Sequence, residues 1–428
     1  MTGRLTFGAE LRRRRQLAGL SLAQLATRVH YSKGQLSKVE SGAQTAQPTL
    51  ARLCDSALNA NGELIALAIT ATHKDEPEDN DDPSTGFWNM SLDPDGTGHF
   101  APMPGRAADP GVGLSLAPGR QSVDPAAAIA LFETRFQATR QLGQLLSAAL
   151  VLPPLIAETH TLRSLASNAP PESAAGLWRL VARYAEYAGW MSQETGNDQQ
   201  ALWWTRMAVR MAAYGGDESW RPFALMRHAD VTLYADDGVG TIELARRAQA
   251  DPAATARIRG LAVQREAQGY ALIGDRESCL RALDRSATLL SEAAHLSAAT
   301  PVLGVWTTPD TTMMARGWCL VDLGRPAEAA ALLERGIAAF ANGTSRARAL
   351  WAMRTALAQA GADEIERACE IVEWLATDLH QIGSATMRHD VRLLHREFRR
   401  RAGQPRVREL MPVLADLLRD SSADRDPG

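Results

Sequence analysis

LRRRRQLAGLSLAQLATRVHYSKGQLSKVESG, residues 11–42, decides how the front of this chain folds, because it reads as three short helices joined by tight turns. Ser21 is a good N-cap for a helix through Arg28, and its hydroxyl is placed to accept from the first free backbone amides. The chain turns at His30-Tyr31. Ser32 then caps a third helix that runs to Ser41 and stops at Gly42. On this reading Leu22, Leu25, Ala26, Val29, Leu36 and Val39 fall where the three helices face one another. Lys33, Gly34, Gln35, Ser37 and Lys38 are left on the outer face of the third helix. Residues 8–70 therefore predict a compact, all-helical head.

Charge sets this head apart from the rest of the chain. The whole sequence of 428 residues has a net charge of −3. Residues 1–74 hold ten Lys and Arg against four Asp and Glu, and residues 75–125 hold two against ten. The remaining 303 are nearly balanced. A basic head on a neutral body suits a partner rich in phosphate, since neutralising phosphates releases condensed counterions. Residues 72–125 contain eight of the 21 prolines, seven glycines and eight aspartates, a composition that supports no packed core of its own. Within that linker FWNMSL (87–92) and TGHFAPM (97–103) flank Asp93-Pro94-Asp95-Gly96, which predicts a small β-hairpin over 87–103.

From about 126 to 420 the chain is rich in Ala, Leu and Arg at helical spacing. A glycine recurs there where one helix should end and another begin, at Gly196, Gly238, Gly274, Gly324 and Gly361. The segment ARGWCLVDLGRPAEAAALLERGIAAF (315–340) places Gly317 seven residues before its turn glycine and Ala329 five after. The segment around Gly274 repeats the pattern with Ala267, Tyr270 and Leu283, and the one around Gly196 with Gly189, Ala201 and Ala208. The units at Gly238 and Gly361 need about two extra residues before their alanine. Small residues at those points let antiparallel helices approach closely, and an irregular helical bundle is the alternative.

Two resemblances follow from these residues. Through AGLSLAQLA, YSKGQLSKVESG and PTLARLCDSAL, residues 5–68 resemble the Xre family, the repressor-like helix-turn-helix domains of phage and bacterial regulators. That resemblance implies a five-helix head, with Glu40 paired structurally to Arg15. It also implies Ser32, Lys33, Gly34, Ser37 and Lys38 at the positions that meet DNA, with Gln35 beside them on the same face. Family members often carry a phosphate-gripping glutamine at the start of the second helix, where this chain has Leu22. Phosphate contacts would then come from Arg12, Arg13 and Arg14. Residues 175–380 resemble the tetratricopeptide repeat, which implies an α-solenoid with a concave ligand groove.

If Gly196, Gly274, Gly324 and Gly361 hold the turn position of that repeat, its groove receives Arg183, Glu186, Trp190, Gln264, Gln268, Met314, Trp318, Arg348 and Trp351. The tryptophans would form an apolar platform and the arginines would hold a carboxylate. The two parts together resemble actinobacterial regulators, and in architecture the peptide-pheromone receptors of Gram-positive bacteria. From the latter the chain departs in its long acidic linker and in having only Asn168, Asn197 and Asn342 in the repeat region.

The expectation is an all-α chain with a helix-turn-helix head over 1–71, a linker over 72–125 and tetratricopeptide-like helix pairs over 126–420. Expected partners are double-stranded DNA, a second copy of the chain, and a peptide, small molecule or protein in the groove. A DNA-tethered adaptor that binds only a protein is the competing class. There is no GxSxG, phosphate loop or HExxH, so neither an enzyme nor a cofactor or metal is expected. Cys54, Cys279, Cys319 and Cys369 lie far apart and predict buried thiols. With no apolar run of about 20 residues and no apolar stretch after Met1-Thr2-Gly3-Arg4, the expected location is the cytoplasm.

Overall fold

Ser21 and Gln24 exchange hydrogen bonds, the Ser21 hydroxyl accepting from the Gln24 amide at 3.2 Å and the Gln24 side chain accepting from the Ser21 amide at 2.8 Å. This reciprocal capping box begins the second helix where the sequence placed it. The structure is a computed structural model that describes residues 7–29, 31, 33–42, 50, 54, 57, 58, 60, 88–92, 98–102, 124–295, 311–337 and 345–419. It divides into two compact units, Met1–Gly113 and Leu114–Gly428.

In the first unit α1 spans Phe7–Leu17, α2 Leu22–Arg28 and α3 Lys33–Glu40. Leu25, Ala26, Val29, Leu36 and Val39 pack with Phe7, Leu11, Leu50 and Cys54 into one core, and Leu22 lies at its margin. Gly8 lets α1 cross the end of α3, since a Cβ there would stand 2.3 Å from the Val39 carbonyl oxygen. The Arg15 guanidinium donates to both oxygens of Glu40 at 2.6 and 2.8 Å, tying α1 to α3 as expected. The fourth and fifth helices expected in the head fall largely outside the described residues. Strands β1 (Trp88–Leu92) and β2 (Gly98–Pro102) pair antiparallel with Met90 opposite Phe100, so the hairpin forms. The rest of the linker before residue 124 lies outside the described residues.

The second unit holds fourteen helices among its described residues. Helices α4 (Pro125–Leu145) and α5 (Ala148–Asn168) lead into antiparallel pairs, each formed by neighbours in the chain. The pairs are α6 (Pro171–Glu194) with α7 (Asp198–Tyr214), α8 (Trp220–Tyr234) with α9 (Gly238–Ala250), and α10 (Ala256–Leu272) with α11 (Arg276–His295). Next come α12 (Thr311–Asp322) with α13 (Pro326–Ile337), α14 (Ser345–Gly361) with α15 (Ile365–Ile382), and α16 (Ala385–Arg399) with α17 (Pro405–Arg419). From α8 onward the first helices of successive pairs pack on one another, α8 on α10, α10 on α12, α12 on α14 and α14 on α16.

The turns inside the pairs correct the sequence reading at two points. Gly196, Gly274 and Gly324 have φ of 88°, 78° and 70°, the left-handed conformation that a turn glycine supplies. In the other two units that role belongs to aspartates, Asp236 at φ 58° and Asp363 at φ 70°. Gly238 instead begins α9, and Gly361 ends α14. Aspartate tolerates the left-handed region better than most side chains, so a search keyed to glycine misplaces these turns. Counted from the left-handed residue, the repeat is regular. Seven positions before it stand Gly189, Ala229, Ala267, Gly317 and Ala356, and five after it stand Ala201, Thr241, Cys279, Ala329 and Ala368. All ten are buried, and they are the small residues that let the two helices of a pair close up.

The run of pairs returns on itself. Helix α14 packs against α4 and α16 packs against α6. The first helices of the pairs thereby come to surround a common space.

Candidate functional site

Helix α3 buries Leu36 and Val39 in the head and turns its other side outward. Lys33, Gly34, Gln35, Ser37 and Lys38 are all exposed, the arrangement their spacing predicted, while Ser32 lies outside the described residues. An added Cβ at Gly34 would meet no atom within 4 Å, so packing within the chain does not require a glycine there. The arginine run on α1 is less free than its sequence suggests. Arg12 is exposed. Arg13 donates to both oxygens of Glu10 at 2.7 and 2.5 Å, and Arg14 donates to Glu10 at 2.7 Å. Those bonds hold the buried Glu10 carboxyl down at about 2, with Arg13 the largest cause. Arg15 is committed to Glu40 and to the Leu20 carbonyl.

The space enclosed by the second unit is a cavity of about 900 Å³ including its mouth. Four successive pairs place a side chain in its wall six residues before the left-handed turn, namely Trp190, Asp230, Gln268 and Trp318. Arg227 and Arg265 hold another equivalent place, nine residues before it. Asp230 accepts from Arg227 at 2.7 Å on one oxygen and from Arg265 on the other. Arg227 also donates to the Gln193 side-chain oxygen at 2.9 Å, and Arg265 to that of Gln268 at 2.6 Å. Across the cavity Arg346 donates to Glu194 at 2.5 Å, whose other oxygen accepts from the Thr386 hydroxyl at 2.7 Å. These charged side chains are more than nine-tenths buried, and every one has an opposite charge beside it, as burial of ions requires.

The aromatic wall is braced from behind. The Tyr234 ring meets Trp318 edge-on at 5.4 Å, and the guanidinium of the fully buried Arg354 lies 3.6 Å from the centre of the same indole. Arg346 stands 5.7 Å from the centre of the Trp190 ring, which also lies against Tyr187.

Of the nine groove residues named from sequence, Trp190, Gln264, Gln268, Met314 and Trp318 line this cavity. Arg183 instead pairs with Glu133 at 2.6 Å. Glu186 lies behind the wall, 3.9 Å from Arg227, with its carboxyl pushed upward by burial. Arg348 donates to Asp378 at 2.9 Å and lies over Trp374. Trp351 is 1% exposed, donates its indole N–H to the Leu333 carbonyl at 2.8 Å, and packs where any Cβ at Gly336 would collide with it. The last two were misplaced because the turn of their unit is Asp363 and not Gly361. Two residues turn a helix by about 200°, so the reading selected the opposite face; counted from Asp363 the two places fall on Leu350, which lines the wall beside Arg346 and Ala347 of the same helix, and on Met353, which is buried in the core. Arg227 and Asp230 were missed because their unit turns at Asp236. The buried Ala229 and Thr241, spaced like the small residues of the other units, are the signal that locates it.

Residues 6–68 match the family described as helix-turn-helix domain, which takes in α1 to α3 and the core beneath them. Comparison with curated proteins gives no match for the chain. A helix-turn-helix domain followed by a helical, repeat-like body defines the class, and it suggests a DNA-binding regulator rather than an enzyme. Among the described residues no helix is long and apolar enough to cross a membrane, and no group of three His, Cys, Asp or Glu is placed to hold a metal ion. All four cysteines are free and buried.

Proposed function

We propose that this chain is a sequence-specific transcriptional regulator of the Xre type, in which a tetratricopeptide-like body senses a ligand and alters how the head engages DNA. The reading divides the chain into a head over 1–71, a linker over 72–125 and a sensing body over 126–420. It places the protein in the cytoplasm, where its DNA is. The observation that carries it is one chain holding both a helix-turn-helix domain with an exposed polar face on α3 and a second unit built around a cavity with buried charges. Buried ion pairs facing a cavity are expensive to maintain and add little stability, which favours a role in recognition. One recognition helix makes too few base contacts for useful specificity, so the regulator binds as a homodimer to two half-sites.

The test begins with genomic fragments selected by the full chain and footprinted. On such a site, replacing Lys33 and Lys38 by alanine weakens binding, and for each phosphate no longer neutralised the log–log salt slope falls by about 0.9. Unchanged affinity and slope in the double variant would remove α3 from the interface and the reading with it.

A further inference from the structure

The charges in the cavity wall already have counter-charges inside the chain. Among the described residues that line the cavity, the charged side chains are Glu194, Arg227, Asp230, Arg265 and Arg346. Asp230 is shared by Arg227 and Arg265, and Nε of Arg227 faces Glu186 behind the wall at 3.9 Å. Arg346 is paired with Glu194, whose other oxygen accepts from the Thr386 hydroxyl. An ionised ligand would give up its hydration here without meeting a charge that is free to take it, a poor exchange for a buried ion. What the wall offers instead is amide. Gln264 donates to the Thr311 carbonyl at 3.1 Å, and Gln268 accepts from Arg265. Gln193 is 3% exposed and is oriented by Arg227, which donates to its side-chain oxygen. Its amide nitrogen is left buried with no acceptor, and folded proteins rarely leave such a donor unpaired. Three residues earlier on α6 stands Trp190, only partly buried, with Tyr187 and Arg346 against its ring. Leu233, Met314, Leu350 and Met387 make other parts of the lining apolar.

We propose that the cavity binds an uncharged small molecule with an aromatic body and a carbonyl oxygen, the oxygen accepting from the Gln193 amide nitrogen and the body lying against Trp190. Residues three apart on a helix are neighbours, with Cβ atoms about 5–6 Å from each other, so a carbonyl attached directly to a ring reaches both side chains at once. An aromatic body suits an indole and an otherwise apolar lining. The volume is that of a small-molecule site. The inference rests on the reading of this cavity as the sensing site and adds the chemistry of what is sensed.

The experiment uses the full chain with 2-naphthamide, the anion 2-naphthoate and the cation 2-naphthylmethylammonium, each titrated by calorimetry. The expected result is one saturable site that prefers the naphthamide to either ion by about tenfold. Gln193→Leu removes the unpaired donor and leaves Arg227 its carboxylates, so it should keep the fold and weaken naphthamide binding about tenfold. Trp190→Leu, which keeps the donor and removes the indole, should weaken it as well. Equal affinity for the three compounds, preference for either ion, no saturable naphthamide binding up to its solubility limit, or naphthamide affinity untouched in either variant would overturn the proposal. The selectivity among the three compounds is read on the unaltered chain and stands whether or not a variant folds. Affinity for the footprinted DNA is then measured with naphthamide present. Preferential binding of naphthamide that leaves DNA affinity unchanged would uphold the ligand class and defeat the sensor reading.

Discussion

Glu10 is a carboxylate 3% exposed within a head whose charge is otherwise positive, and it survives there because Arg13 and Arg14, three and four residues on, lie over it. The consequence for pH has a definite sign. Folding lowers this acid from 4.5 to about 2, so the stability it contributes is fully present above about pH 5 and is lost as pH falls through the range down to 2. Arg13 is half exposed and solvent screens part of the pair, which leaves a contribution of about 2 kcal/mol near neutrality. Glu10→Gln should therefore destabilise the head by about that amount at pH 7 and flatten its acid dependence. Hydrogen exchange of the α1 amides in the full chain reads both effects. Protection that declines between pH 5 and 3 in the variant as in the parent chain would show that another acid is responsible. The same pairing leaves Arg12 as the freest cation of the run for a phosphate, a distinction visible in the sequence only when Glu10 is read together with Arg13 and Arg14.

Among the helix pairs, the left-handed turn is the element that sets register, and Asp236 gives a way to test it. Its side chain is 67% exposed and its nearest partner, His389, is 3.9 Å away, so the ion pair is worth little. The backbone strain is another matter, since a non-glycine residue in this region costs about 1–2 kcal/mol, somewhat less for aspartate. Asp236→Gly should raise the urea midpoint of the full chain by an amount equal to about 0.5–1 kcal/mol, and Asp236→Val should lower it. A destabilising glycine would mean that the aspartate side chain, and not the backbone, holds the turn. This element also marks where the sequence was legible. Helices α1 to α3, the hairpin and the units turning at Gly196, Gly274 and Gly324 were all visible, because caps, turn glycines and apolar spacing are local signals. The units turning at Asp236 and Asp363 were blurred, because aspartate in a turn looks like aspartate in any surface loop. Part of the cavity was lost with them: Arg227 and Asp230 sit in the first, and the error at the second put Arg348 in place of Leu350. Gln193, Glu194 and Arg346 carry no local sign at all, since what brings them to one wall is the return of the last pairs onto the first.

That return is held at one residue, and it governs the whole body. Arg346, the second residue of α14, donates from Nε to the Gly143 carbonyl and from a terminal nitrogen to the Leu146 carbonyl, both at 2.8 Å, where α4 ends. Carbonyls at a helix C-terminus lack partners within their own helix and carry its partial negative charge, so a guanidinium suits them. The remaining terminal nitrogen reaches Glu194 at the end of α6, and Glu194 in turn accepts from Thr386 on α16. One side chain thus joins the first helices of the body to the last, across about 150 to 200 residues of sequence. Arg346→Met keeps the length and apolar stem while removing every donor. It leaves a buried carboxylate without its cation, at a cost of about 3–5 kcal/mol. The expected outcome is a body that opens, seen as a larger radius of gyration in X-ray scattering and faster hydrogen exchange at the end of α4 and in α16. Adding Glu194→Leu removes the stranded charge, so the double variant should recover part of the lost stability without recovering closure. If Arg346→Met scatters and exchanges like the parent chain, then packing of α14 on α4 and of α16 on α6 closes the body unaided, and the arginine serves only to neutralise Glu194.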